Sequence, residues 1–128
     1  MDNDLRDPVR LARSCAALLD EKKIVNLQIL DVGDSFAITS FFVIGTGLNS
    51  RHLQSVVDHL DQSLKHLGVK RRRLEGYREG KWILLDLGDV IVHLFIEDAR
   101  RFYDLELLWG DSPRLELDLP MARRQAVS

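Results

Sequence analysis

Four sets of side chains in this chain could do chemistry. The carboxylates of Glu75, Asp86 and Asp89 lie near His93 in sequence, and carboxylates beside an imidazole can form an acid–base pair or a metal site. His52, His59 and His66 recur every seventh residue, which places them on one stripe of a helix but not at the i, i+4 spacing that chelates well. The stretch Gly45-Thr46-Gly47-Leu48-Asn49-Ser50 runs into a helical pattern, where free amides and the positive end of a helix dipole could receive a phosphate. Cys15 is the one thiol, and thiolate chemistry would need an activating neighbour.

Each set has a plainer reading. Glycines are needed anyway for a tight strand-to-helix turn, and the stretch matches neither a Walker loop, since no Lys-Ser/Thr follows, nor GxGxxG. A lone cysteine in an apolar helical pattern is most often a small buried hydrophobe. The histidine stripe reads as a mostly exposed helix face. Neither a nucleophile elbow nor a catalytic dyad is present. The residues thus assign no metal ligand, no cofactor and no catalytic group.

What Asp86 and His93 can do depends on the strands that carry them. Trp82 to Leu87 and Val90 to Ile96 are β-rich apolar runs separated by Gly88-Asp89, and glycine at the first central position suits a two-residue type II′ turn. In that hairpin Leu87 faces Val90, Leu85 faces Val92 and Ile83 faces Leu94, while Asp86 faces Ile91, Leu84 faces His93 and Trp82 faces Phe95. The first six residues make an aliphatic face, which is core. The other six mix aromatic, acidic and imidazole groups. His93 lies diagonal to Asp86 there, so the register permits a hydrogen bond between them, with a structural role. Asp89 sits in the turn, where the strand does not set its direction. Such a mixed face is either a partly wet packing layer beneath a helix or a contact surface, and the residues alone favour the layer.

The rest of the chain supports this hairpin. Its 128 residues make one domain, 1–128, large enough to bury roughly two-thirds of the unfolded surface. With 45% hydrophobic and 30% charged residues the composition is that of a soluble globular protein. A net charge of −2 exerts no overall pull towards nucleic acid, so any contact with RNA must be local. One cysteine excludes an intramolecular disulfide and fits a reducing compartment. No apolar run is long enough to span a membrane and the N-terminus has no apolar core of a signal peptide, so the expected location is cytoplasmic.

Asp7-Pro8 can start a helix that runs to about Lys23, with Leu11, Ala12, Cys15, Ala16, Leu18 and Leu19 on its apolar side. Leu27 to Val32 is a strand, and Phe41 to Ile44 is another that is apolar on both faces and therefore central. A second helix starts at Asn49 or Ser50, carries Leu53, Val56, Val57, Leu60, Leu64 and Leu67 on one stripe, and ends at Gly68. Lys70-Arg71-Arg72-Arg73 is the only dense basic run. It reads as edge-strand protection, with electrostatic contact to a polyanion such as ribosomal RNA as the sharper alternative. Glu97-Asp98 opens a short helix through Tyr103. Residues 1–6 and 112–128 read as loosely ordered tails.

The long motifs GKWILLDLGDVIVHLFIEDARRFYDLELLW, SFFVIGTGLNSRH and LQILDV closely resemble the ribosomal silencing factor, or Iojap-like, family, from about Leu18 to Asp111. The resemblance implies an α/β fold, a mixed sheet of about five strands flanked by helices and shaped like a nucleotidyltransferase without the catalytic residues. It implies a translation repressor, not an enzyme, that binds large-subunit ribosomal protein fourteen and blocks joining of the small subunit when nutrients run short. Carried onto this chain, the partner contact falls on Trp82, Asp86, Tyr103, Leu105 and Glu106, with His93 and Trp109 either in the contact or in packing. Ser40 stands where the family usually has an acidic residue, and Leu107 where it often has Arg. The resemblance moves Trp82 and Asp86, with the segment from Tyr103 to Glu106, from packing layer to docking surface. An exposed Trp/Tyr patch also suits a homodimer of the free protein. The competing reading is a nucleotidyl- or phosphoryl-transfer enzyme using Gly45 to Ser50, but no Asp-x-Asp pair follows that link to hold metals.

Overall fold

A computed structural model of the protein describes residues 4–33, 39–103 and 112–117. The first helix, α1 (Pro8–Glu21), starts where the sequence places it: the Asp7 carboxylate accepts a hydrogen bond from the Val9 amide at 3.0 Å, and Pro8 occupies the first helical position. Strand β1 (Val25–Asp31) follows left-handed Lys23 at φ 66° and contains a register shift between Val25 and Gln28, where Asn26 is also left-handed at φ 52°. Strand β2 (Phe41–Gly47) leads to α2 (Ser50–His66), which Asn49 caps by accepting from the His52 amide at 2.8 Å. Three strands then form a meander, β3 (Arg73–Glu75), β4 (Trp82–Asp86) and β5 (Val90–Ile96), followed by the short α3 (Glu97–Tyr103) and by β6 (Arg114–Leu115).

The strands make one mixed sheet in the order β3-β4-β5-β2-β1-β6. Only β2 and β5 run parallel, and every other neighbouring pair is antiparallel. Strand β2 is central and fully buried, as its two apolar faces require. The β4–β5 register is the one the sequence predicts, from Trp82 opposite Phe95 to Asp86 opposite Ile91. Helices α1 and α2 cover the aliphatic face, where Leu11, Leu19, Leu53, Leu60 and Leu64 pack on Ile83, Leu85, Val90, Val92 and Leu94. The opposite face has a smaller apolar cluster of Leu30, Val32, Phe42, Ile44 and Phe95, to which α3 contributes Ala99.

Two boundaries differ from the sequence reading. Strand β2 continues through Gly45, Thr46 and Gly47, which pair with Leu94, Phe95 and Ile96, so the glycines belong to the sheet and not to a link. Among the described residues the sheet has six strands where about five were expected: β6 lies in the segment expected to be a loose tail and pairs with Ile29 and Leu30 of β1. Two residues beside Pro113 are too few to show a strand period. Arg13 reinforces this edge by donating to the Glu116 carbonyl at 3.2 Å.

Candidate functional site

The mixed face of the hairpin presents Trp82, Leu84, Asp86 and Ile91 half-buried around a buried centre of His93 and Phe95. Both readings of that face therefore hold in part. Its middle is a packing layer and its outer row reaches solvent. Among the described residues, α3 covers only the end nearest Phe95 and Ala99.

Asp86 is fixed by the turn it precedes. Gly88 takes φ +95°, and its amide donates to Asp86 Oδ1 at 2.8 Å. Arg73 faces Asp86 from the edge strand, its Nε 3.9 Å from Oδ2, a partly exposed pair that adds little to stability. Arg73 also lies 3.3 Å from Glu75, a second carboxylate of the group, while Asp89 is exposed in the turn.

His93 is only 4% exposed. Its Nδ1 accepts the indole N–H of Trp82 at 3.1 Å, and Phe42 meets its ring edge to face at a centroid distance of 4.6 Å. Trp82 in turn stacks on Phe95 at 5.1 Å. Burial pushes the His93 pKa down to about 4, because an imidazolium here would lose its hydration. Since Nδ1 accepts, the neutral ring carries its proton on Nε2. That buried N–H has no hydrogen-bond partner among the described residues. The expected His93–Asp86 hydrogen bond is thus not made. His93 has two diagonal neighbours on this face, and the long indole of Trp82 reaches it, whereas the short Asp86 carboxylate turns back to the Gly88 amide.

Of the other expected contact residues, Tyr103 ends α3, while its side chain and all of Leu105, Glu106, Leu107 and Trp109 lie outside the described part. Two residues of this face escaped the sequence reading. Phe42 reaches it from β2, and Arg100 ties α3 to the sheet by donating to Thr46 Oγ1 and to the Asn26 carbonyl, each at 2.7 Å. The strand pattern carried a signal for Phe42. None exists for Arg100, whose acceptors are distant in sequence.

The remaining candidates resolve structurally. A Cβ on Gly45 would meet Ile24 and Leu27, and one on Gly47 would meet Leu53 and His52, so both glycines admit close packing. The amides after them are engaged: Leu48 N–H donates to His52 Nδ1 at 2.9 Å and His52 N–H to Asn49. His52 also reaches the Lys22 carbonyl at 2.8 Å through Nε2. The expected exposed histidine face is therefore incorrect, since His52 and His59 are half-buried and only His66 is exposed. His52 is recruited because α2 starts beside the end of α1. Cys15 is fully buried, its pKa pushed up to about 12 by desolvation, and it packs as a hydrophobe. No group of three potential metal ligands occurs among the described residues. Strand β3 is an edge, as the basic run suggested. Arg71 approaches Asp61 at 3.8 Å, while Lys70 and Arg72 are exposed. No helix among the described residues is long and apolar enough to cross a membrane.

A family model described as ribosomal silencing factor during starvation matches residues 5–128. A ribosomal silencing factor of Halalkalibacterium halodurans is 39% identical over 100 residues, 78% of this chain and 86% of that one. The Bacillus subtilis factor is 33% identical, covering 87% and 94% respectively. A mouse relative named mitochondrial assembly of ribosomal large subunit protein 1 is 31% identical over 73% of this chain and 42% of its own length. A crystal structure of a Bacillus halodurans protein matches with a TM-score of 0.72 at 34% identity, covering 88% of this chain and 99% of that one. An X-ray structure from Chromobacterium violaceum matches with a TM-score of 0.74 at 29% identity, covering 84% and 87%. With its family model matched almost end to end and its fold shared with these structures, the chain belongs to the ribosomal silencing factor family.

Proposed function

We propose that this protein binds the large ribosomal subunit at ribosomal protein fourteen and, by occupying that surface, sterically prevents the small subunit from joining, so that translation falls when nutrients are limiting. The observation that carries this reading is the family match over residues 5–128. The mouse relative, whose name refers to the large subunit, supports the choice of subunit. The half-buried row of Trp82, Leu84, Asp86 and Ile91 supports the choice of face, because a rigid aromatic beside a carboxylate can anchor a basic protein surface. Tyr103, Leu105 and Glu106 extend the proposed contact, and Lys70 to Arg73 can meet ribosomal RNA at its margin. A bacterial factor of this kind works in the cytoplasm. The free protein can pair with a second copy through the same face.

Co-sedimentation with isolated large subunits tests the proposal. Trp82→Ala and Glu106→Ala should each weaken association at least about tenfold, as expected for interface anchors, while circular dichroism shows both variants folded. Absence of association by the parent protein, or association unchanged by both substitutions, overturns it.

A further inference from the structure

The basic run that reads as one patch in the sequence is divided by the fold. Arg72 and Arg73 turn towards the β4–β5 hairpin. The Arg72 amide donates to the Asp86 carbonyl at 2.7 Å, and its guanidinium lies so close to Gly88 that a Cβ there would meet Nε at 3.0 Å. Arg73 is engaged by Glu75 and Asp86. Lys70 and Arg71 lie on the other side, against the end of α2. Arg71 is 3.8 Å from Asp61, and a recess of about 310 Å³ is lined by Asp61, Lys65, Lys70 and Arg71. A second recess, of about 470 Å³, is lined by Gln62, Lys65 and His66, so that both border Lys65.

Backbone hydrogen bonds fix this grouping. The Leu64 carbonyl accepts the Leu67 and Val69 amides at 3.0 and 2.8 Å, the Lys65 carbonyl accepts the Gly68 amide at 3.0 Å, and Gly68 makes the turn at φ +87°. Val69 then packs on the core, which returns the chain beside α2. Neither Lys65 nor Lys70 makes an ion pair among the described residues. Three cations about one carboxylate leave two positive charges locally unmatched in a chain whose net charge is −2. Apart from Asp61, every lining side chain can donate hydrogen bonds: two ammoniums, a guanidinium, an imidazole and a carboxamide. Such a set suits phosphodiester oxygens, which only accept.

From this division we infer that the RNA contact of the protein is a phosphate-binding corner in which Lys65 of α2 joins Lys70 and Arg71, whereas Arg72 and Arg73 serve the hairpin. The inference rests on the proposed docking to the large subunit and narrows its RNA contact to one side of the basic run. Lys65 lies outside that run, and only the turn at Gly68 brings it there.

Co-sedimentation of the full chain with isolated large subunits over a range of salt concentrations, combined with hydroxyl-radical footprinting of the subunit RNA, tests it. The double variant Lys65→Gln/Lys70→Gln should lower the log–log salt slope by about 1.4–1.8, at about 0.7–0.9 per phosphate contact. At equal occupancy it should also erase a patch of RNA backbone protection that the parent gives. Arg72→Gln/Arg73→Gln should change the slope by less than about 0.5 and leave that protection in place. All four side chains are exposed, and circular dichroism verifies that both variants fold. A slope unchanged by Lys65→Gln/Lys70→Gln, or lowered equally by the two double variants, overturns the corner while subunit binding stands. A lowered slope with unchanged RNA protection overturns it too, since the corner would then face an acidic protein surface. If the parent does not associate with the subunit, the proposed function itself fails and the inference falls with it.

Discussion

At the scale of single residues, His93 couples the site to pH. An unfolded chain takes up a proton on this imidazole near the ordinary histidine value of 6.5, whereas the folded protein resists protonation down to about 4. The native state therefore binds fewer protons through that window. The stability that His93 contributes is complete above about pH 6.5, falls as the pH drops towards 4 and stays lost below it. The span corresponds to on the order of 3 kcal/mol. Urea unfolding at neutral pH and at about pH 4.5 should show the parent losing roughly 2–3 kcal/mol more than His93→Leu, which lacks the titrating ring. Equal losses in the two proteins would mean that His93 is not held neutral by burial. Sequence periodicity put His93 on the right face and left it with two diagonal neighbours. Which neighbour it bonds was decided by reach: the Trp82 indole N–H meets Nδ1, while the Asp86 carboxylate accepts from the Gly88 amide.

At the scale of elements, the glycines of β2 show how one pattern supports two readings. As a link before a helix, Gly45 to Ser50 suggests a phosphate cradle. As a strand, Gly45 and Gly47 let the chain pass close to Ile24, Leu27 and Leu53 while the parallel ladder with β5 continues. Gly45→Val should therefore lower stability by about 1–3 kcal/mol through overpacking, measured by denaturant unfolding. Nucleotide with magnesium should leave the melting temperature of the parent unchanged. A nucleotide-dependent rise, lost in Gly45→Val, would restore the transferase alternative. Helix α2 shows a second device invisible to periodicity. Ser50, Gln54 and Asp58 lie on one stripe and hold the segment before β4, through the Glu79 carbonyl at 3.2 Å, the Tyr77 carbonyl at 2.8 Å and the Tyr77 hydroxyl at 2.8 Å. The sequence marks the apolar side of α2 clearly, but its polar side acquires partners only when the meander folds back over it.

At the scale of the whole molecule, a net charge of −2 leaves any attraction to ribosomal RNA to the corner where α2 ends and β3 begins. There Arg71 and Arg73 already face Asp61, Glu75 and Asp86, which reduces the charge they can offer. Changing Lys70, Arg71, Arg72 and Arg73 to Gln should lower the salt dependence of large-subunit association by about one to two units of log–log slope, since about 0.7–0.9 is expected per phosphate contact. An unchanged slope would leave edge protection as their role. The sequence by itself determined the local grammar of this protein. The Asp7-Pro8 helix start, the apolar stripe of α2, the double-faced β2 and the β4–β5 register all follow from spacing and turn chemistry within a few residues, and the long motifs identify the family. Tertiary structure decided what no local period encodes: that β6 closes the β1 edge, that Arg100 ties α3 to Thr46 and Asn26, and that the mixed face is buried at His93 and Phe95 yet only half-buried at Trp82, Leu84, Asp86 and Ile91. A strand's alternation says which side chains share a face, but what covers that face depends on where distant segments come to rest.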